Sequence, residues 1–182
     1  TVPICAIVNS SLRQGVVPES WKISRVTPLP KLFPVTTVEN DIRPISVTNA
    51  ISKIAELFIS RRFNTHFSNY LDSNQFGCTA ERSTTHALIK LCDEWFKASD
   101  NSKNFTRILF VDFSKAFDLV DHNVLLERFI ECDFPPHITV WSMAFLQDRK
   151  QFVRLNDNQS TIKPLNAGAP QGTRAGSDDF KL

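Results

Sequence analysis

The chain has 182 residues, of which 42% are hydrophobic and 22% charged, and a formal charge of +2. These values suit a globular domain, with length enough for one domain or for one and a half small ones. No run of about 18 apolar residues occurs, so no membrane-spanning helix is expected.

The first residues, Thr1 to Cys5, lack an initiator Met and lack a basic stretch before an apolar one. No signal peptide is expected, and a longer parent protein is. Cys5, Cys78, Cys92 and Cys132 lie far apart without zinc-site spacing. They read as buried thiols of a reducing compartment. Residues 1–62 carry eight basic and four acidic residues, a balance of +4, while the rest balances to −2. A basic part beside an acidic part suits a phosphate-rich ligand next to a metal site, and equally a chance surface pattern.

In chain order, Ile4, Ile7, Val8 and Leu12 have helical spacing and end near Gly15. Residues 17–22 read as a turn. Ile23 to Leu29 reads as a strand. Leu32 to Asn40, among prolines, reads as a loop. Asn49 is placed to cap a helix running to Phe67, with Ile51, Ile54, Ala55, Phe58, Ile59 and Phe63 as its apolar face. Tyr70 to Ser83 links to a second helix over 84–98. Phe105 to Val111 is expected to be a strand. Helices follow over 123–130 and 136–146, the latter with Pro near its start. Residues 151–155 alternate as a half-exposed strand, 156–158 turn, and 161–165 return as its hairpin partner. Gly168 to Gly176 is a glycine-containing loop. Helices interleaved with hairpin strands define an α+β fold.

Three segments bear on chemistry. Lys31 and Arg43 flank one loop, where two cations could clamp a triphosphate. Taken alone, they read more readily as solvated surface charges. Asp112 ends an apolar run, and a buried carboxylate needs a partner such as Mg²⁺. Amides after it could face phosphate oxygens. Asp118 and Asp121 read as structural, capping or pairing near the next helix. Gly168-Ala169-Pro170-Gln171-Gly172-Thr173 lets backbone approach a ligand, with Gln171 able to donate and accept.

The ordered set is more specific than any one piece. Pro18, Trp21-Lys22, Pro28, Lys31, Asp41, Arg43-Pro44-Ile45-Ser46, Lys53, Glu56 and Gln75-Phe76-Gly77 begin it. Ser83-Thr84, His86-Ala87-Leu88, Phe110 to Asp118, Val120, His122, Ala169 to Thr173 and Gly176 complete it. This pattern resembles the reverse transcriptase domain of non-LTR (LINE-type) retrotransposons, from about Pro18 to the end. The resemblance implies an RNA-templated DNA polymerase with a right-hand fold in an intracellular setting. About residues 1–100 would be fingers with palm-connecting helices, and about 101–182 a partial palm, without the thumb.

The resemblance further implies residue roles. Asp112 matches the first of three palm aspartates that hold two Mg²⁺ ions, with the Phe113 carbonyl a further ligand. Two ions would activate the primer 3′-hydroxyl and stabilise leaving pyrophosphate. Lys31 and Arg43 match cations that bind the incoming dNTP. Phe117 matches the aromatic gate against a ribose 2′-hydroxyl, and Gln171 a glutamine near nucleotide and template. RNA template, DNA primer and dNTP are the implied partners, with no membrane.

The family's paired-aspartate motif is expected beyond Leu182. Asp178-Asp179 follows Gly176 too closely to be that motif, and Ser177 stands where Pro is usual. One carboxylate cannot hold two Mg²⁺ about 3.5–4 Å apart. The 182-residue chain alone is therefore expected to be inactive in primer extension on an RNA template. The alternatives are a non-catalytic nucleic-acid-binding module and a group II intron-type maturase, which the Phe-Ser-Lys-Ala-Phe-Asp wording disfavours.

Overall fold

The computed structural model describes residues 2–67, 70–100 and 105–173. Gly176, Ser177 and Asp178-Asp179 lie outside the described residues. The fold is mixed α+β, as expected. Its helices are α1 (Val2–Gln14), α2 (Glu19–Lys22), α3 (Val38–Asp41), α4 (Ala50–Phe67), α5 (Thr84–Ser99), α6 (His122–Glu131) and α7 (Pro136–Leu146). Its strands are β1 (Ile23–Pro30), β2 (Ile42–Val47), β3 (Lys150–Leu155), β4 (Asn158–Gln159) and β5 (Lys163–Pro164). Two compact units result, one from Thr1–Asn69 with Lys115–Leu182 and one from Tyr70–Ser114.

In the first unit, β1 lies between β2 and β3, antiparallel to β2 and parallel to β3. Pro28 and Pro30 fall beyond Val26, the last β1 residue paired with β3. A proline there removes no ladder donor on that side. The return of the β3 hairpin is split. Asn158–Gln159 and Lys163–Pro164 each pair antiparallel with β3. Between them Ser160 takes over: its amide donates to the Val153 carbonyl, and its Oγ accepts from the Val153 amide at 2.9 Å. Of the expected residues 161–165, only Lys163–Pro164 form a strand, and the Leu165 amide after it donates to the Arg149 carbonyl at 2.8 Å.

The helices supply an aromatic core. Phe63 and Phe67 of α4 meet Phe129 of α6 and Phe134, with ring centroids 5.0–6.1 Å apart. Each fully buried ring of this kind contributes roughly 1.5–3 kcal/mol. Trp141 of α7 is fully buried, stacks on Phe145, and donates from Nε1 to Ser11 Oγ of α1 at 3.0 Å. Gly15 ends α1 at a φ of +64°, a left-handed C-terminal position that suits glycine.

Two expectations inside this unit need correction. Asn49 does cap α4, its Oδ1 accepting from the Ile51 amide at 2.8 Å. However, the buried face of α4 is Ser52, Ala55, Glu56, Ile59, Ser60, Phe63 and Phe67. Ile54 and Phe58 are exposed. Of the expected face Ala55, Ile59 and Phe63 are buried, and the polar Ser52, Glu56 and Ser60 join them, the Ser52 hydroxyl donating to Glu56 Oε1 at 3.1 Å. The turn and loop expected at 17–22 and 32–40 also hold short helices, α2 and α3.

In the second unit, Ser83 caps α5 by accepting from the His86 amide at 3.3 Å. Arg82 knits the preceding loop, donating to the Ser73 and Gln75 carbonyls at 2.6 and 2.9 Å beneath a Phe76 ring contact. The expected strand at 105–111 is absent. Residues 105–113 are irregular, with Phe105 96% and Leu109 86% exposed. Among the described residues, no strand pairs with this segment. An apolar run needs a ladder on its edges before it becomes a strand. The cysteines depart from expectation as well. Cys5 and Cys78 are exposed and Cys92 and Cys132 half-buried, all with free thiols.

Candidate functional site

Lys31 and Arg43 stand together at the end of the β1–β2 hairpin. Leu29 pairs with Arg43 and Pro30 with Ile42, and the Lys31 amide donates to the Asp41 carbonyl at 2.7 Å. The Lys31 Nζ donates to the Asn40 carbonyl at 2.7 Å. Both cationic side chains are exposed. Asp41 organises the connecting turn. Its Oδ2 accepts from the Thr36 hydroxyl at 2.7 Å, the Thr36 amide at 2.8 Å and the Thr37 amide at 2.9 Å. These bonds, led by the Thr36 hydroxyl, hold the Asp41 carboxyl down at about 2, and the Lys31 charge adds to them.

The glycine loop joins this hairpin through backbone. The Ser46 amide of β2 donates to the Gln171 carbonyl at 2.9 Å. Thr173 closes the loop, its Oγ1 donating to the Pro170 carbonyl at 2.9 Å. Gly172 has a φ of +96° and faces Ile45. The Gln171 side chain is half-buried.

The loop's other edge lies on the segment that carries Phe117. The Ala169 amide donates to the Phe117 carbonyl at 2.7 Å, and the Gly168 amide to the Val120 carbonyl at 3.0 Å. Gly168 has a φ of +87°, and a Cβ there would come within 2.8 Å of the Phe117 and Asp118 carbonyl oxygens. Only glycine fits. Phe117 itself is half-buried. Asp121 caps α6, accepting from the Asn123 amide at 2.7 Å, as expected. Asp118 is exposed, with its amide donating to the Lys115 carbonyl at 2.9 Å.

A cavity of about 190 Å³ opens beside the loop, lined by Pro44, Ser46, Asp118, Arg149, Gly168 and Gln171 among others. Arg149 is 1% exposed. Its Nη1 donates to the Phe145 carbonyl at 3.1 Å, and its guanidinium lies 4.5 Å from the centre of the Phe145 ring. Nε and Nη2 have no hydrogen-bond partner among the described residues. Burial lowers its pKa to about 10, partly offset by the Glu56 charge. Glu56, 1% exposed, accepts from the Ser52 hydroxyl at 3.1 Å. Glu56 and Arg149 are thus two buried charges, and the Glu56 charge acts on Arg149. Glu56 belonged to the sequence pattern, but Arg149 sits in a polar run, Gln147-Asp148-Arg149-Lys150, with no signal of burial. The Arg149 carbonyl accepts from the Leu165 amide at 2.8 Å and so fixes the start of the segment leading into the loop.

Lys31, Arg43, Phe117 and Gln171 therefore share the first unit. Asp112 and Phe113 belong to the second, on the exposed irregular segment. Their oxygen donors are of the type Mg²⁺ selects. In number they fall short, because among the described residues no three His, Cys, Asp or Glu side chains gather as a metal site. No helix among the described residues is long and apolar enough to cross a membrane.

The cationic hairpin is thus joined through backbone to the Pro-Gln-Gly loop, and that loop to the segment carrying Phe117. The profile of the family described as Reverse transcriptase (RNA-dependent DNA polymerase) matches residues 34–177, and the chain belongs to that family. It is 30% identical over 175 residues to the RNA-directed DNA polymerase from mobile element jockey of Drosophila melanogaster. It is 29% identical over 175 residues to a probable RNA-directed DNA polymerase from transposon BS of the same species. A probable RNA-directed DNA polymerase from transposon X-element is likewise 29% identical over 175 residues. In each case 95% of this chain is covered, but only 19% of the relative. The chain is thus a reverse transcriptase domain sequence of the non-LTR retrotransposon kind, about a fifth as long as these relatives.

Proposed function

We propose that this chain supplies the nucleotide-binding part of an RNA-directed DNA polymerase, built from fingers and part of a palm. Lys31 and Arg43 engage the triphosphate of the incoming dNTP. Arg contributes a planar fork and Lys a point charge, and each charge-assisted bond is worth about 1.5–3 kcal/mol. Phe117 crowds the sugar 2′ position and favours deoxynucleotides. Gln171 packs against the nucleotide, its orientation set by a backbone bonded on one side to β2. Asp112, with the Phe113 carbonyl, contributes oxygen donors toward Mg²⁺, which when bound neutralises phosphate charge. RNA template and DNA primer are the remaining partners. The supporting observation is the pair of backbone bonds from Gln171 to Ser46 and from Ala169 to Phe117. They join the cationic hairpin, the glutamine and the aromatic ring into one assembly.

The test is primer extension on an RNA template with dNTPs and Mg²⁺, using the element-encoded polymerase that carries this sequence. Asp112→Asn should abolish incorporation, and Lys31→Ala or Arg43→Ala should lower it about tenfold or more. Incorporation indifferent to all three substitutions would overturn the reading.

A further inference from the structure

His122 is the first residue of α6, and its ring Nε2 lies 2.9 Å from the Gly168 carbonyl oxygen. A carbonyl only accepts, so Nε2 carries the proton and the ring donates. The same glycine is fixed twice more. Its amide reaches Val120, and its α-carbon sits where a Cβ would strike the Phe117 and Asp118 carbonyls. The next amide, Ala169, reaches Phe117. Of these attachments, only the His122 bond comes from a side chain, and so it alone can be tuned by substitution without changing the backbone.

We propose that His122 is a positioning residue: its bond to Gly168 clamps the Gln171 loop onto the Phe117 segment and thereby sets the preference for deoxynucleotides over ribonucleotides. This rests on the reading of Phe117 and Gln171 given above. The geometry behind it is short. Gln171 lies three residues after Gly168, and Phe117 five before His122, so the clamp spans the base of both. A loop released at Gly168 can shift by a few tenths of an ångström and still keep Ser46 bonded to Gln171. That shift widens the space between the aromatic ring and the sugar, where a 2′-hydroxyl is otherwise crowded.

Two substitutions separate the hydrogen bond from the bulk of the ring. His122→Phe keeps a ring and removes the donor. His122→Gln places an amide N–H at a comparable reach. Amide hydrogen exchange on the 182-residue chain reads the clamp itself. Exchange at Gly168 and Ala169 should rise about three- to tenfold in His122→Phe and return to near the unaltered rate in His122→Gln. The Leu165 amide, bonded to Arg149, should not change. Binding of dTTP and of 5-methyluridine triphosphate, followed by amide chemical shifts, reads selectivity. The deoxy preference should fall about threefold or more in His122→Phe and recover in His122→Gln.

Unchanged exchange at Gly168 and Ala169 overturns the clamp. Faster exchange with unchanged deoxy preference overturns its link to selectivity. Absence of nucleotide binding by the unaltered chain counts against the proposed function and the selectivity link together, while the exchange result still decides the clamp.

Discussion

The Ser46 amide donates to the Gln171 carbonyl at 2.9 Å, making the glycine loop an extension of the β2 edge. The cationic hairpin and the glutamine thus share one backbone frame. Any strain in the loop is felt along β2, and the loop's own glycines are the sensitive positions.

Gly168 and Gly172 both have positive φ, but their surroundings differ. A methyl at Gly172 would meet a movable Ile45 methyl at 3.3 Å, whereas one at Gly168 meets carbonyl oxygens at 2.8 Å. Backbone strain of this sort costs roughly 1–3 kcal/mol, and about 2–4 °C of Tm follow each kcal/mol in a chain this size. Gly168→Ala should lower Tm by about 5 °C or more, and Gly172→Ala by less, as read by circular dichroism. A Gly168→Ala protein as stable as the unaltered one would contradict the close approach.

Glu56 and Arg149 are both 1% exposed. Removing one member of a buried charged couple leaves the other desolvated, at about 3–5 kcal/mol. Replacing both by apolar residues of similar size costs much less. Arg149→Met and Glu56→Leu should each destabilise strongly. The double variant should be more stable than either, giving a favourable coupling in a denaturant-melt cycle. Additive losses would show that the two charges do not act as a couple.

Asp41 offers a pH test of the hairpin turn. An unperturbed Asp ionises near about 3.9, and the hydrogen bonds from Thr36 and Thr37 lower Asp41 to about 2. The folded value is the lower one. The carboxylate's contribution is therefore complete above about pH 4 and disappears as pH falls toward about 2. Carboxyl carbon shifts should titrate with a midpoint near 2, and Thr36→Val should raise it. A midpoint near the ordinary value would contradict the turn geometry.

Much of this arrangement was legible in the sequence because it is local. Asn49 and Asp121 cap their helices through bonds that span two residues. The alternation from Ile23 and the Asn156 turn likewise depend on neighbours. The hairpin that joins Lys31 to Arg43 follows from a short connection. What the sequence hid is set by distant contacts. Ile54 and Phe58 share the helical period of Ala55 and Ile59, yet they are exposed while Glu56 is buried, its charge acting on Arg149, 93 positions away. The apolar run at 105–111 reads as a strand, but a strand needs an edge, and no described residue provides one. His122 was visible as part of an ordered pattern, while its bond to Gly168 depends on a loop 46 positions later.

Equilibrium titration of the 182-residue chain with dTTP at low salt addresses the assignment of the hairpin and loop to an incoming nucleotide. Saturable binding is expected, weakened about tenfold by Lys31→Ala and by Arg43→Ala, each of which removes a charge-assisted contact. Gln171→Ala should weaken it less, and raising the salt should weaken it in every case. Binding of equal strength in all variants, or none in the unaltered chain, would contradict the assignment.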